Sequence, residues 1–386
     1  MRQDGQENVR LQPVKVPHWV RGEESCFVLG PASRALRILG LGMSVGTPPG
    51  GVEADLAAVR DFDELEALGR RGVEGKIVLF NAPFTSYGRT VQYRSSGASR
   101  AAALGAVATL LRSVTPRSLS TPHTGAMRYS GDAPKIPAAA VTVEDAERLY
   151  ALCRDAVGVR IRLEMGAHML PMADSANVLG EIRGRERPEE IVVMGGHIDS
   201  WDVGQGAHDD GASCMAALQA LAVIRGLGLR PRRTLRVALW TNEENGLEGA
   251  KAYRAALGDE VGKHVAAIEM DGGCERPSGF GLGMPAGDSR AERALAQARE
   301  IAATLRGIQA DNISVGGGGA DIGPLMREGV PGFGLQTEGG HYFDWHHTDA
   351  DTLDKVDPVN FRHAIAALAV FGFGLADLPM RLGEPS

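Results

Sequence analysis

Only four of the 386 residues are cysteine, and Cys26, Cys153, Cys214 and Cys274 lie too far apart to form a C-x-x-C pair. This excludes a zinc knuckle and a disulfide framework as organising features, and leaves scattered structural thiols as the expectation. Basic residues are not in excess: 41 Lys and Arg face 48 Asp and Glu, a net charge of −7. That sign disfavours nucleic-acid binding by phosphate neutralisation, and no basic tract offers a local exception. No long hydrophobic run is present either. The longest nearly unbroken apolar stretch, Ala364 to Ala376, is short of the ~18 to 20 residues that cross a bilayer, so no membrane partner is expected and a buried terminal helix is predicted. The opening MRQDGQENVRLQP has neither an apolar core nor a small-residue cleavage site, so no secretory signal is encoded in the chain as given.

With 44% hydrophobic and 23% charged residues the composition is that of a soluble globular protein, and the length suits two domains. Glycine, at 51 residues, is about twice as common as usual, which implies many tight turns and close backbone approaches. From Cys26 to about Met172 short apolar runs alternate with Gly and Pro. ALRILGLG and GKIVLFNAP read as strands, Ser99 to Arg112 as a helix, and KIPAAAVT as another strand. Few catalytic groups occur in this half, and His123 and His168 are isolated. After Asp174 strand and helix alternate clearly. EEIVVMGGH, TLRVALWTN, HVAAIEMDG and VPGFGLQTE are strands, while Ala212 to Arg225, Arg290 to Arg306 and Asn360 to Ala376 are helices. Near-continuous apolar strands separated by helices predict an α/β domain with a mostly parallel central sheet and helices on both faces. Ligands in such sheets bind beyond the carboxyl ends of the strands.

Those ends carry metal-type residues. The first strand ends in His197-Ile198-Asp199, the next loop holds His208-Asp209-Asp210-Gly211, the second strand ends in Glu243-Glu244 and the third in Asp271, and His346-His347-Thr348 follows the fourth. Carboxylates and imidazoles gathered at adjoining buried strand ends repel one another or stay unsatisfied without a cation. A set of His with several carboxylates suits zinc or a similar first-row ion, whereas calcium sites are built from oxygen. One zinc takes about three protein ligands, so His197, Asp209, Glu244, Asp271 and His347 can serve two ions if Asp209, whose loop lies between the strands supplying the others, is shared. Two such ions activate a bridging water to hydroxide near neutral pH. Asp199 is expected to support the His197 imidazole or the metal surroundings. An extended backbone would send the adjacent Glu243 and Glu244 to opposite sides, one as general base and the other as ligand. His346, Tyr342 and Asp321 are candidate substrate-facing or cleft residues. The Gly316 to Gly319 run reads as a flexible turn, since no G-K-[ST] follows it.

The segments GGHIDSWDVGQGAHDDG, LGLRPRRTLRVALWTNEENG, the Glu-x-Asp at Asp271 and WHHTDADTLDKVDP resemble the co-catalytic zinc exopeptidases of the aminopeptidase and glutamate carboxypeptidase superfamily. VKVPHWVRGEES, GKIVLFNAPF, RTVQYRSSGA, PHTG and KIPAAAVTVEDAE are similar to its plasma glutamate carboxypeptidase family, so that the resemblance spans nearly the whole chain. It implies two zinc ions per chain, with His197 and Asp271 on one, Glu244 and His347 on the other, Asp209 bridging and Glu243 as base. It also implies a protease-associated domain inserted into the catalytic fold, a homodimer, and hydrolysis of dipeptides or short peptides with unblocked ends. The expected division is a lead-in over 1–25 belonging to the catalytic domain, the protease-associated domain over 26–172, and the catalytic domain over 173–386. Members of that family usually begin with a signal peptide and a helical segment before the stretch matching Val14 to Ser25. An extracellular or periplasmic location is therefore expected if the N-terminus is truncated, and a cytoplasmic one otherwise. Two rival functions use the same residues: acyl transfer of the glutaminyl-cyclase type, which favours one working zinc, and a noncatalytic receptor-like module, which has no need of Glu243 beside a complete ligand set.

Overall fold

A computed structural model describes residues 1–30, 33–155 and 158–385. The chain divides into two compact units, one made of 1–16, 173–342 and 351–386, the other of 17–172 and 343–350. These limits differ from the expected 1–25, 26–172 and 173–386. Glu24–Leu29 pairs with Arg160–Met165, so the second unit begins before Cys26, and the short piece 343–350 returns to that unit from late in the chain.

The first unit is built on an eight-stranded sheet. Its centre is four parallel strands, β1 (Arg187–His197), β2 (Arg233–Trp240), β3 (His264–Glu269) and β4 (Gly332–Thr337), in the order β2-β1-β3-β4. Every residue of β2 and β3 is buried, as are the last seven of β1, which is why these strands are uninterruptedly apolar rather than alternating. Antiparallel strands flank them. His168–Ile182 pairs with β2 and Pro277–Gly283 with β4, so the sheet is mixed at its margins. On one face lie α1 (Ala212–Gly226), the Ala291–Ala302 helix and α2 (Pro358–Asp377), around a core that includes Met194, Leu235, Ile268, Phe280, Phe333 and Phe371. On the other, Trp240, Tyr253, Ile322 and Leu325 form a smaller core. Helix α2 is long and apolar enough to cross a membrane, yet Ala364, Ala367, Leu368, Phe371 and Leu375 are buried in the sheet core. Asp357 caps its first turn by accepting from the amides of Val359 and Asn360.

The second unit is another eight-stranded sheet. Val52–Val59, Ile77–Phe80, Ala108–Arg112 and Ala138–Val141 run parallel at its centre. Helices Phe62–Val73, Tyr87–Ala103 and Val143–Arg154 cover it. The helix expected over Ser99 to Arg112 is in fact the end of one element and the whole of another. The helix stops at Ala103, Gly105 turns the chain at φ 90°, and Ala108–Arg112 is a central strand. A short Ala- and Leu-rich run fits either state, and burial between two parallel neighbours decides for the strand.

Candidate metal centre

The glycine pair that precedes His197 is required by the neighbours of β1. A Cβ on Gly195 would stand 1.7 Å from the Ala238 carbonyl oxygen of β2, and one on Gly196 would stand 2.0 Å from Oδ2 of Asp210. Without side chains there, the β2 backbone and the 207–211 loop close on the strand end. The His197 amide then donates to Asp210 Oδ2 at 3.0 Å.

His197 is 1% exposed. Its Nδ1 lies 2.8 Å from the Asp199 carbonyl oxygen, an acceptor, so Nδ1 carries the proton. Nε2 faces carboxylates, with Asp209 Oδ1 at 3.0 Å and Asp271 Oδ1 at 3.8 Å. One ligand-type atom from each of these three residues lies within 4.8 Å of the other two. Tyr342, also buried, donates its hydroxyl to Asp271 Oδ1 at 3.4 Å. The structure thus brings together His197, Asp209, Asp271 and Tyr342.

Glu243 and Glu244 follow β2 on a tight turn, 243–246, rather than on extended backbone, so strand alternation does not separate their side chains. The turn is held by Asp199, whose carboxylate accepts from the Glu243 amide at 3.0 Å and from the Glu244 amide at 3.3 Å. Asp199 therefore links His197, through its own carbonyl, to the backbone of the glutamate pair, while its carboxylate is 3.8 Å from the imidazole. Asp321, expected at a cleft, is 2% exposed, and neither carboxylate oxygen has a hydrogen-bond partner among the described residues. Near it is Glu269, which the sequence displays in the Glu-x-Asp at Asp271 but to which no role was assigned. Glu269 is buried at the end of β3 and accepts from the Ile322 amide at 2.8 Å. Gly319 leaves room for it, since a Cβ there would fall 2.0 Å from its carboxyl carbon.

His346 and His347 belong to the second unit. Their rings stack at 3.5 Å, and His347 has a left-handed backbone at φ 63°. His347 Nδ1 is 3.2 Å from the Thr124 carbonyl oxygen and 3.4 Å from the buried guanidinium of Arg94. Nδ1 thus faces an acceptor in Thr124 and a donor in Arg94; when it donates to Thr124, Nε2 holds the lone pair, the tautomer a metal takes. His123, isolated in the sequence, spends Nδ1 on the His346 carbonyl at 2.7 Å.

The electrostatics of the first unit bear on whether a cation fits. Burial pushes the Glu243 carboxyl well above the usual range; His197 opposes this, and the carboxylates of Asp271, Glu244 and Asp209 add to it. Burial likewise raises Asp210 well above its usual range, against His197 and with Asp271. Burial by itself would lower His197, but the hydrogen bond to Asp209 and the nearby carboxylates of Asp271 and Asp210 hold it well above 6.5. The centre is therefore short of positive charge, and burial with carboxylate repulsion favours the protonated forms of these groups when no cation is present. A divalent ion among His197 Nε2, Asp209 and Asp271 would replace those protons, and one imidazole with carboxylates is a zinc-type donor set.

Residues 177–371 match the model of peptidase family M28, and residues 45–149 that of the PA domain. The chain belongs to peptidase family M28. It is 43% identical over 380 residues to carboxypeptidase Q of Mus musculus and of Homo sapiens, which covers 98% of this chain and 79% of theirs. The crystal structure of a peptidase M28 precursor from Shewanella amazonensis superposes with a TM-score of 0.92 at 33% identity, covering 100% of this chain and 87% of that one. A zinc aminopeptidase from Bacillus subtilis shares the fold, with a TM-score of 0.70 at 19% identity over 99% of this chain and 88% of that one. The M28 chain is a metallopeptidase, and the expected α/β fold with a protease-associated domain is the one found.

Proposed function

We propose that this M28 peptidase is a dizinc exopeptidase that hydrolyses dipeptides and short peptides with unblocked ends. The observation that carries the reading is the convergence of His197, Asp209 and Asp271 within 4.8 Å at the ends of β1 and β3. The names of its relatives, carboxypeptidase Q and zinc aminopeptidase, agree with it. In this reading His197 and Asp271 would hold one ion and Glu244 and His347 the other, with Asp209 serving as a ligand to both. Bound zinc supplies Lewis acidity toward the scissile carbonyl and an acidified water near neutral pH. Glu243 would hold the proton released by the attacking water and return it to the leaving amine, acting as general base and then general acid. Asp199 keeps the Glu243 backbone in register with His197 through the hydrogen bonds already described. Tyr342, through Asp271, and His346 complete the surroundings, and the assembly is a homodimer, which light scattering reads directly.

The test compares zinc content and the hydrolysis of free and end-blocked dipeptides. Glu243→Gln should lose ~10² to 10⁴ in turnover and keep its zinc, whereas Glu244→Gln should lose metal. Asp209→Ala should lose both ions and His347→Ala mainly one. Full activity in zinc-loaded Glu243→Gln would refute the assignment of the base. A wild-type stoichiometry of one ion would move the reading to single-metal acyl transfer of the glutaminyl-cyclase type.

A further inference from the structure

The loop that presents Asp209 is a single π-turn, closed by the Gly211 amide on the Gly206 carbonyl at 2.8 Å and by the Ala212 amide on the Ala207 carbonyl, and its remaining amides are held from a distant part of the chain. Gln205 donates its amide to the Asp351 carbonyl at 2.7 Å and accepts from the Leu353 amide through Oε1 at 2.9 Å. Asp351, 3% exposed, then uses both carboxylate oxygens on the loop. Oδ1 accepts from the His208 amide at 2.7 Å and Oδ2 from the Asp209 amide at 3.1 Å.

The His208 side chain adds two further ties. The Cys274 amide is a donor, so His208 Nδ1, 3.1 Å away, accepts; the proton is on Nε2, which donates to the Lys355 carbonyl at 2.9 Å. Both ring nitrogens are thus committed to backbone. His208, although next to Asp209 in sequence, is a fastener of the loop, and His197 supplies the imidazole of the centre.

We infer that Asp351, with His208, is a positioning pair for Asp209: the carboxylate of Asp351 fixes the two amides that lead into Asp209, and the His208 ring ties the loop to the segments around Cys274 and Lys355. The inference rests on the proposed sharing of Asp209 between two zinc ions. A carboxylate shared by two ions tolerates less displacement than a ligand to one, so loosening its backbone weakens both sites together.

Asp351→Asn is the discriminating variant. An amide has one acceptor and one donor, so in either orientation one of the two N–H groups meets another N–H. The shape is kept and one buried amide loses its acceptor. The holoenzyme is titrated with a chromophoric chelator, and zinc release from each site is followed beside the thermal midpoint with and without zinc. In Asp351→Asn the apparent affinity of both sites should fall ~10- to 100-fold, the range found when a group supporting a ligand is removed, and the rise in midpoint on adding zinc should shrink. His208→Gln, which can keep one of the two ring contacts, should move both sites in the same direction by less. Asp354→Asn, on the exposed neighbour paired with Lys355, should behave as wild type.

Two-site zinc affinity within twofold of wild type in folded Asp351→Asn would overturn the inference. So would equal losses of midpoint with and without zinc, which would mark a purely structural brace. If Asp351→Asn does not fold, His208→Gln decides by the same two readings. A wild-type enzyme that binds fewer than two zinc ions fails before any variant is compared, and that result strikes the parent reading.

Discussion

His264 opens β3 at the edge of the sheet remote from Asp271, and its environment makes acid sensitivity a quantitative expectation. The Arg236 guanidinium, a donor only, gives a hydrogen bond to the Tyr253 hydroxyl at 2.9 Å. The Tyr253 proton is therefore directed to His264 Nε2, 2.8 Å away, and the imidazole is held neutral. Burial, with the positive charge of Arg236 second, lowers His264 from 6.5 to about 3. At pH values between these limits the unfolded chain takes up a proton that the folded chain refuses. Stability is then complete above about pH 6.5 and declines as the pH falls toward about 3. Each pH unit in that window costs ~1.4 kcal/mol, so the loss is about 2 kcal/mol at pH 5 and approaches about 5 kcal/mol at pH 3. The assay is urea unfolding of zinc-free protein over a pH series, comparing wild type with His264→Gln, whose side-chain carbonyl can still accept from Tyr253. The variant should be less stable at pH 7.5 and should lose less of its stability on acidification. Parallel stability curves for the two proteins from pH 7 to 4 would refute the argument, since they would show that His264 does not distinguish the folded from the unfolded chain.

Two further expectations concern the support of the site and of the sheet. Asp199→Ala removes the acceptor of the Glu243 and Glu244 amides, so peptide hydrolysis should fall ~10- to 100-fold; kcat measured in zinc-saturated protein checks this, and an unchanged kcat would mean that the turn holds itself. Phe371 stacks on Phe280 at 4.0 Å and meets Phe333 edge-on at 5.0 Å with no exposure. Phe371→Ala should therefore cost about 3 to 5 kcal/mol, read from urea midpoints, with zinc per folded chain unchanged.

His197, Asp209 and Asp271, which the folded chain brings together, are candidate donors that the sequence announces locally. His197 and Asp271 follow runs of apolar residues that only a doubly covered parallel strand explains, and the chemistry of a strand end is written in the next two or three residues. The reason for the two glycines of MGGH, the approach of Ala238 and Asp210, belongs to the packed sheet. What tertiary structure decided lies between segments that no local pattern connects. Sequence alone assigned no role to Glu269, Asp351 or His208. Ser99 to Arg112 had the composition of a helix, and burial between neighbouring strands divided it. The hydrogen bond from the Asp209 amide to Asp351 spans 142 residues. A carboxylate in a polar loop looks the same in sequence whether it faces water or fastens a distant backbone. Only the closed chain distinguishes the two, because burial makes the unsatisfied amides of the 205–210 loop costly and Asp351 is the acceptor that reaches them.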